Sequence, residues 1–347
     1  MDLFSQTILR WYADNGRDLP WRRTRDPYAV WLSEIILQQT RIAQGTAYWH
    51  RFMERFPTVE ELAASSEDEV LRLWEGLGYY TRARNLHAAA RQIVAQASFP
   101  HTLEGIRALK GVGDYTAAAI GSICFGLPAA VVDGNVYRVL ARHFGISTPV
   151  GTTEARKEFG ELAQRLLPLQ EASAYNQGMM DFGALQCTPK NPACLSCPLQ
   201  ASCNAFRTGR TQLLPVKKAG ATVRERHFNY IYVRFKGQTA IHKRGPGDIW
   251  QGLYEPLVPE SASSSSSGKW FFAKPCEKYF SEGTMHLLRK GVKHQLTHRL
   301  LMADFYLWEP RERPELPEGY IWIEETELDR YGKPRLFELL LDAVSKA

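Results

Sequence analysis

Four of the six cysteines, Cys187, Cys194, Cys197 and Cys203, fall within seventeen residues as C-x6-C-x2-C-x5-C. Thiolates this close in sequence can converge on one site, and a soft metal ion or an iron–sulfur cluster is what uses four of them. Zinc is the rival, although a zinc ribbon usually shows two separated C-x2-C knuckles rather than one compact loop. Pro192 and Pro198 stiffen the segment. Cys124 and Cys276 are solitary and read as small apolar residues.

Two carboxylates stand in settings suited to opposite charge states. Glu34 lies in Trp31-Leu32-Ser33-Glu34-Ile35-Ile36-Leu37, with Val30 and Trp31 one helical turn before it and Leu37 one turn after. An apolar collar disfavours the charged form and raises the pKa, as a general acid at neutral pH requires. Asp133, in Val131-Val132-Asp133-Gly134-Asn135, reads as the N-cap of a helix through Val136 to His143, where backbone amides hold a carboxylate ionised. Breaking an N-glycosidic bond needs both states. One acid protonates the leaving base, and one carboxylate faces the sugar carbon as it turns cationic. Between them, Leu109-Lys110-Gly111-Val112-Gly113-Asp114-Tyr115-Thr116-Ala117 joins two helical stretches. Its glycines can take positive φ, and amides at the following helix start form a nest for a phosphate.

The elements that position these groups fall into two regions. Residues 1–205 read as helices joined by short loops. Asp26-Pro27 opens a helix running through Tyr28 to about Ala43, Thr58 to Glu61 has the form of a capping box, and Glu67–Gly76 and Thr81–Ala97 continue the helical pattern. Residues 206–227 carry Arg207, Arg210, Lys217, Lys218, Arg224 and Arg226 against the single acid Glu225, a basic connector suited to solvent or to phosphate. From His227 the period changes to two. Asn229 to Phe235 is strand-like, Lys236-Gly237-Gln238 a turn, and Thr239 to Lys243 a hairpin return; Leu300–Trp308 is a further strand and Leu328–Val344 an amphipathic helix. Ser261–Gly268 is a low-complexity tract, expected to be a mobile loop. Residues 228–347 therefore form a smaller α+β domain.

At 347 residues two domains are the natural expectation, and 44% apolar with 23% charged residues is globular composition. A net charge of +6 permits a polyanionic partner without demanding one. No run of about 18 apolar residues exists, which leaves no membrane-spanning helix. Met1–Gly16 carries acids and no apolar core, so no secretory signal and a reduced compartment are expected.

The hairpin L-K-G-V-G-x-Y-T-A, the aspartate of V-D-G-N-V and the cysteine loop together resemble the endonuclease III superfamily of helix–hairpin–helix DNA glycosylases. Within it, Trp31-Leu32-Ser33-Glu34-Ile35-Ile36-Leu37-Gln38-Gln39-Thr40 and Gly76-Leu77-Gly78-Tyr79-Tyr80 resemble the MutY adenine glycosylases. The match covers about residues 2–226 specifically and 228–345 loosely. The resemblance implies a mainly α glycosylase region holding a 4Fe-4S cluster on the four cysteines, and a MutT/Nudix-like domain at the carboxy terminus. It implies excision of adenine opposite 8-oxoguanine or guanine in double-stranded DNA. Glu34 would be the proton donor and then activator of water, and Asp133 the stabiliser or transient nucleophile at the sugar carbon. Tyr115 and Asn135 would be hydrogen-bonding supports, and Gly111 and Gly113 the phosphate contacts. For the adenine pocket it implies Arg17, Leu19, Trp21, Arg22, Leu37 and Asp181; near the opposite base, Gln39, Thr40, Leu77 and Tyr79. Strand-cutting relatives carry a lysine where Tyr115 stands, and a phenol cannot form an imine, so little strand cutting is expected. Trp250-Gln251-Gly252-Leu253-Tyr254-Glu255-Pro256 resembles the family's second domain, without the acidic box of a pyrophosphatase. In place of the family's phenylalanine-serine-histidine lesion loop stand Leu296, Thr297 and His298: Thr297 keeps a hydroxyl, while Leu296 removes the aromatic. A thymine or uracil mismatch glycosylase and a non-catalytic iron–sulfur DNA-binding protein are the alternatives. A monomer is expected, in a bacterial cytoplasm at the nucleoid or in a nucleus.

Overall fold

The structure is a computed structural model that describes residues 1–218, 223–258 and 283–347. The Ser261–Gly268 tract and Cys276 lie outside the described residues. In chain order the helices are α1 (Leu3–Asn15), α2 (Pro27–Leu37), α3 (Ile42–Arg55), α4 (Val59–Ala64), α5 (Glu67–Leu73), α6 (Thr81–Ala95), α7 (Leu103–Arg107), α8 (Asp114–Phe125), α9 (Gly134–Phe144), α10 (Thr153–Leu166), α11 (Ala172–Leu185), α12 (Asn204–Arg207) and α13 (Arg335–Val344). The strands are β1 (Arg224–Val233), β2 (Gln238–Lys243), β3 (Tyr254–Glu255), β4 (Gly283–Gln295), β5 (Arg299–Pro310) and β6 (Tyr320–Glu324). Contacts gather them into two units, Met1–Ala64 with Asn85–Ala219, and Ser65–Arg84 with Gly220–Ala347.

The first unit is all helical, as its sequence implies. Side-chain caps start the helices as their residue types dictate: Asp26 accepts from the Tyr28 amide at 3.0 Å with Pro27 in the first turn, and Thr58 accepts from Glu61 at 3.3 Å. The helix opened by Asp26 stops at Leu37 rather than Ala43. The Thr40 amide folds back on the Leu37 carbonyl, and Gln39 takes a left-handed φ of 59°, so residues 38–41 form a turn before α3. Helix α11 runs against α1, α8 and α9. A Cβ at Gly178 would stand 3.0 Å from Tyr12 of α1, and one at Gly183 would stand 2.6 Å from Asn135 of α9. Two glycines on one helix thus set the close approach of both neighbours.

The connector expected over 206–227 is much shorter. Leu214 is buried in the helical core, and the Val150 amide donates to the Val216 carbonyl at 2.9 Å. Arg224 already opens β1.

The second unit holds two three-stranded sheets, β1-β5-β4 and β3-β2-β6. β1 runs parallel to β5 and β4 antiparallel to it. Lys236 and Gly237 make the expected tight turn, with φ of 49° and 81°, and Phe235 and Gln238 exchange both backbone hydrogen bonds at 3.0 Å. The hairpin expected from it does not form. Tyr230 and Tyr232 face one core cluster while Ile231 and Val233 face another, so β1 is buried on both sides and takes β5 as its partner. The turn is a corner between sheets. The terminal helix starts at Arg335 rather than Leu328, because Pro334 directly precedes it and Glu325–Arg330 forms a separate 3-10 turn. The segment Ser65–Arg84, expected within the helical region, packs in this unit instead. Arg84 donates to the Gln251 carbonyl at 2.5 Å, and Lys243 pairs with Asp68.

Candidate active site

Helix α2 is buried around most of its circumference, which is why its single carboxylate stands out. Glu34 is 8% exposed, beside Val30 and Trp31, which are more deeply buried still. The Tyr115 hydroxyl, on the first turn of α8, donates to Glu34 Oε2 at 2.9 Å and lies 3.6 Å from the Met180 sulfur. Burial pushes the Glu34 carboxyl up to about 7; the Tyr115 hydrogen bond and Arg22 oppose that rise, and the charge of Asp133 adds to it. The Tyr115 phenol is held firmly protonated by its own burial and by Glu34.

Asp133 caps α9. Its Oδ1 accepts from the amides of Asn135 at 2.8 Å and Val136 at 2.7 Å, and its Oδ2 accepts from Asn135 Nδ2 at 2.7 Å. Behind it Arg138 donates to Asn135 Oδ1 at 2.8 Å and to the carbonyls of Gly183 and Cys187 at 2.6 and 2.7 Å, which fixes the carboxamide's orientation. The cap bonds match the sequence reading, but their effect on charge is smaller than expected. Burial outweighs them and raises the Asp133 carboxyl above the ordinary range, against the amides, Asn135 and Arg138.

Both acids line one cleft of about 840 Å³, together with Arg17, Leu19, Trp21, Arg22, Leu37, Gln39, Thr40, Tyr115 and Asn135. Eleven of the residues singled out from sequence are therefore on its walls. Asp181 is not. It is fully buried, its carboxylate taken by Arg17 and by Arg22, whose nitrogens donate at 2.7 and 2.9 Å. Burial works against its charge, and the two arginines more than offset this and hold the carboxyl below its usual range. Asp181 thus aims two guanidiniums at the cleft and does not itself line it.

Sequence reasoning missed Gln177, Met180 and Arg138 on the same walls. Gln177 Nε2 is committed to the carbonyl and hydroxyl of Ser173 at 3.3 and 3.1 Å, while its Oε1 is buried without a partner. Only the three-dimensional packing reveals that orphan acceptor.

In the hairpin, Gly111 takes φ of 77° and a Cβ there would meet Asn85 at 2.6 Å, so glycine is required. Gly113 corrects the reading: its φ is −97°, open to any residue, and open space surrounds the point where a Cβ would be. The amides starting α8 have no side-chain cap.

The Gly76–Tyr80 turn belongs to the second unit. Gly76, Gly78 and Tyr79 take positive φ, and Arg82 lies over the rings of Trp74 and Tyr79 while donating to the carbonyls of Leu77 and Gly78. Tyr79 is 49% exposed and hydrogen-bonds Thr297 through their hydroxyls. Leu77, expected to reach outward, is buried. Thr297 and His298 sit exposed in the turn between β4 and β5, while Leu296 packs against the core.

Cys187, Cys194, Cys197 and Cys203 line one small cavity of about 30 Å³, with Arg142 donating to Cys187 Sγ at 3.4 Å and to the Thr188 carbonyl at 2.7 Å. Among the described residues no group of three or more His, Cys, Asp or Glu side chains is gathered around a single-ion position. Four sulfur donors around one cavity fit a soft, polynuclear group. Cys124 stands apart, its thiol pushed up to about 12 by burial, as a packing residue.

Residues 32–165 match the HhH-GPD superfamily of base excision DNA repair proteins, and residues 229–343 match the NUDIX domain. An adenine DNA glycosylase of Buchnera aphidicola (subsp. Acyrthosiphon pisum) is 36% identical over 353 residues, covering 99% of this chain and 98% of that protein. That of Homo sapiens is 43% identical over 223 residues, 61% of this chain and 41% of that protein. Among solved structures, a thermostable thymine-DNA glycosylase is similar at TM-score 0.56 and 32% identity, over 59% of this chain and 96% of that one.

The raised Glu34 carboxyl carries a stability cost with a definite sign. The unfolded chain releases this proton near 4.5 and the folded one near 7, so stability falls as pH rises between those values and stays lower above them. Glu34→Gln removes the titration. Urea unfolding should find it equal to the parent near pH 4 and more stable by up to about 3 kcal/mol at pH 8. No gain at pH 8 would contradict a buried neutral acid.

Proposed function

Since the chain belongs to the adenine DNA glycosylase family of helix–hairpin–helix repair proteins and is a DNA N-glycosylase, we propose that it releases adenine lying opposite 8-oxoguanine or guanine in duplex DNA. The observation that carries the chemistry is the pair of acids on one cleft, one held neutral to about pH 7 and one wired to amide donors. Once the nucleotide is extruded, Glu34 gives its proton to a ring nitrogen of the base. The bond from C1′ to the base then breaks, its electron pair leaving with the neutral base. Asp133 faces the cationic carbon, directly or through a short-lived ester. Water adds to that carbon, and its proton returns to the Glu34 carboxylate. Tyr115 offers a phenol and no amine, so the reaction ends at base release, with little strand cutting.

Gln177 supports adenine over thymine. Its amide nitrogen is occupied by Ser173, which leaves the buried carbonyl oxygen to accept from an exocyclic amino group. Thymine has only oxygens on its ring there. Trp21 and Leu19 supply the apolar walls for a purine. In the second unit, the exposed Tyr79 and Thr297 suit a wedge beside a lesion contact.

The four thiolates of Cys187, Cys194, Cys197 and Cys203 would hold a 4Fe-4S cluster, which when bound supplies cross-linking to a loop almost devoid of regular structure. Arg138 and Arg142 tie that loop to α9 through its carbonyls and the Cys187 sulfur.

Three measurements follow. Glu34→Gln and Asp133→Asn should each slow single-turnover release of adenine opposite 8-oxoguanine by about 10³-fold or more with duplex affinity nearly intact, and the parent rate should fall tenfold per unit above about pH 7, as Glu34 loses its proton, and fall again on the acid side, as Asp133 gains one. Parent-like turnover by either variant, or preferential release of thymine opposite guanine, refutes the reading. Gln177→Leu should lose about 10-fold in adenine release with less than a twofold change for undamaged DNA; an unchanged rate removes Gln177 from base reading. Purified chain should carry about four irons with visible absorbance, whereas one colourless zinc per chain would overturn the cluster.

A further inference from the structure

The second unit carries a basic surface that neither the cleft nor the lesion turn uses. Strand β4 is one edge of the β1-β5-β4 sheet, and it carries two more residues than its partner between Leu287 and Val292: Leu287 pairs with Tyr306, Arg289 with Phe305 and Val292 with Ala303. Those extra residues reset the alternation. Leu288, Val292 and Leu296 pack on the core, while Arg289, Lys290 and Lys293 are exposed. Among the described residues none of these three cations makes an ion pair or a hydrogen bond. The one acid at the bulge, Asp304, has its Oδ1 engaged by the Gly291 amide at 2.6 Å. Long cations are normally neutralised on a mixed surface; here three within five residues share an edge with none of the described acids paired to them.

We infer that the β4 edge, through Arg289, Lys290 and Lys293, is a binding surface for the phosphate backbone of duplex DNA. This rests on the proposed function above. The Thr297 turn is the direct continuation of β4, four residues beyond Lys293 and so within about 13 Å of it at strand rise. With backbone charges about 3.4 Å apart along the axis on each strand, the three cations meet phosphates some four base pairs and more from the nucleotide at the turn. Their role is to hold register on the duplex without reading sequence. An acidic protein segment is the competing occupant of such an edge, and the experiment separates the two.

The test uses the full chain with Arg289→Ala, Lys290→Ala and Lys293→Ala combined, and the charge-keeping set Arg289→Lys, Lys290→Arg and Lys293→Arg as control. For three phosphate contacts the slope of log affinity against log salt should become shallower by about 2.7 in the alanine set, equally for undamaged and mismatched duplex, and stay parental in the control. Adenine release at saturating enzyme should be unchanged, since no substituted residue lines the cleft. An unaltered salt slope in a variant that still releases adenine overturns this surface while leaving the enzymatic reading intact, and points the edge toward an acidic protein. Loss confined to mismatched duplex also overturns it, because a backbone contact cannot tell the two apart. Far-UV circular dichroism and thermal melting matching the parent show that the sheet has kept its fold.

Discussion

A carboxylic acid that must keep its proton near neutrality has to be withdrawn from water and yet remain within reach of the group it protonates. Glu34 meets both demands because α2 ends one turn beyond it. The helix gives it neighbours buried on nearly every side, and the left-handed break at Gln39 ends the helix on the cleft wall. Tyr115 then fixes the carboxyl, and although its hydrogen bond favours the carboxylate, burial outweighs it. Asp133 is placed by a different device, the start of α9, so the two acids arrive on one wall from elements far apart in sequence. Their environments differ in donors more than in depth: both are raised by burial, and Asp133 alone has two backbone amides and a carboxamide in opposition.

Around this pair the buried charges are organised in layers. Asp181 holds Arg17 and Arg22, and Arg138 holds Asn135. Removing one partner from such an arrangement strands the other without solvent. The glycines of α11 belong to the same logic, because Gly183 lets the helix carrying Asp181 touch the residue beside Asp133. The geometry of the cleft is therefore fixed by backbone proximity first and by hydrogen bonds second.

Much of this was legible from residue order alone, for reasons that are local. Caps at Asp26, Asp133 and Thr58, the apolar run around Glu34 and the cysteine spacing each depend on neighbours within a turn or two. What escaped depends on distant partners. Gln177 looks like any helical glutamine until Ser173 claims its nitrogen. Asp181 reads as a lone helical carboxylate until two arginines from the amino-terminal loop close on it. The corner at Lys236-Gly237 has the chemistry of a hairpin, and only the burial of β1 on both faces tells that its partner is β5. Gly113 has the freedom for positive φ, yet in the fold it takes −97°, with open space where a Cβ would stand.

The long edge of the second unit has one more consequence. Among the described residues the thirteen-residue strand β4 has one neighbour only, and such an edge with an exposed Leu287 is a template onto which another copy's strand could zip, the first step toward fibrous or amorphous deposits. The irregular pairing at Arg289 and Gly291 and three like charges in five residues spoil that template by breaking the hydrogen-bond rhythm and by repelling an identical edge. The same side chains thereby work against self-association along this edge.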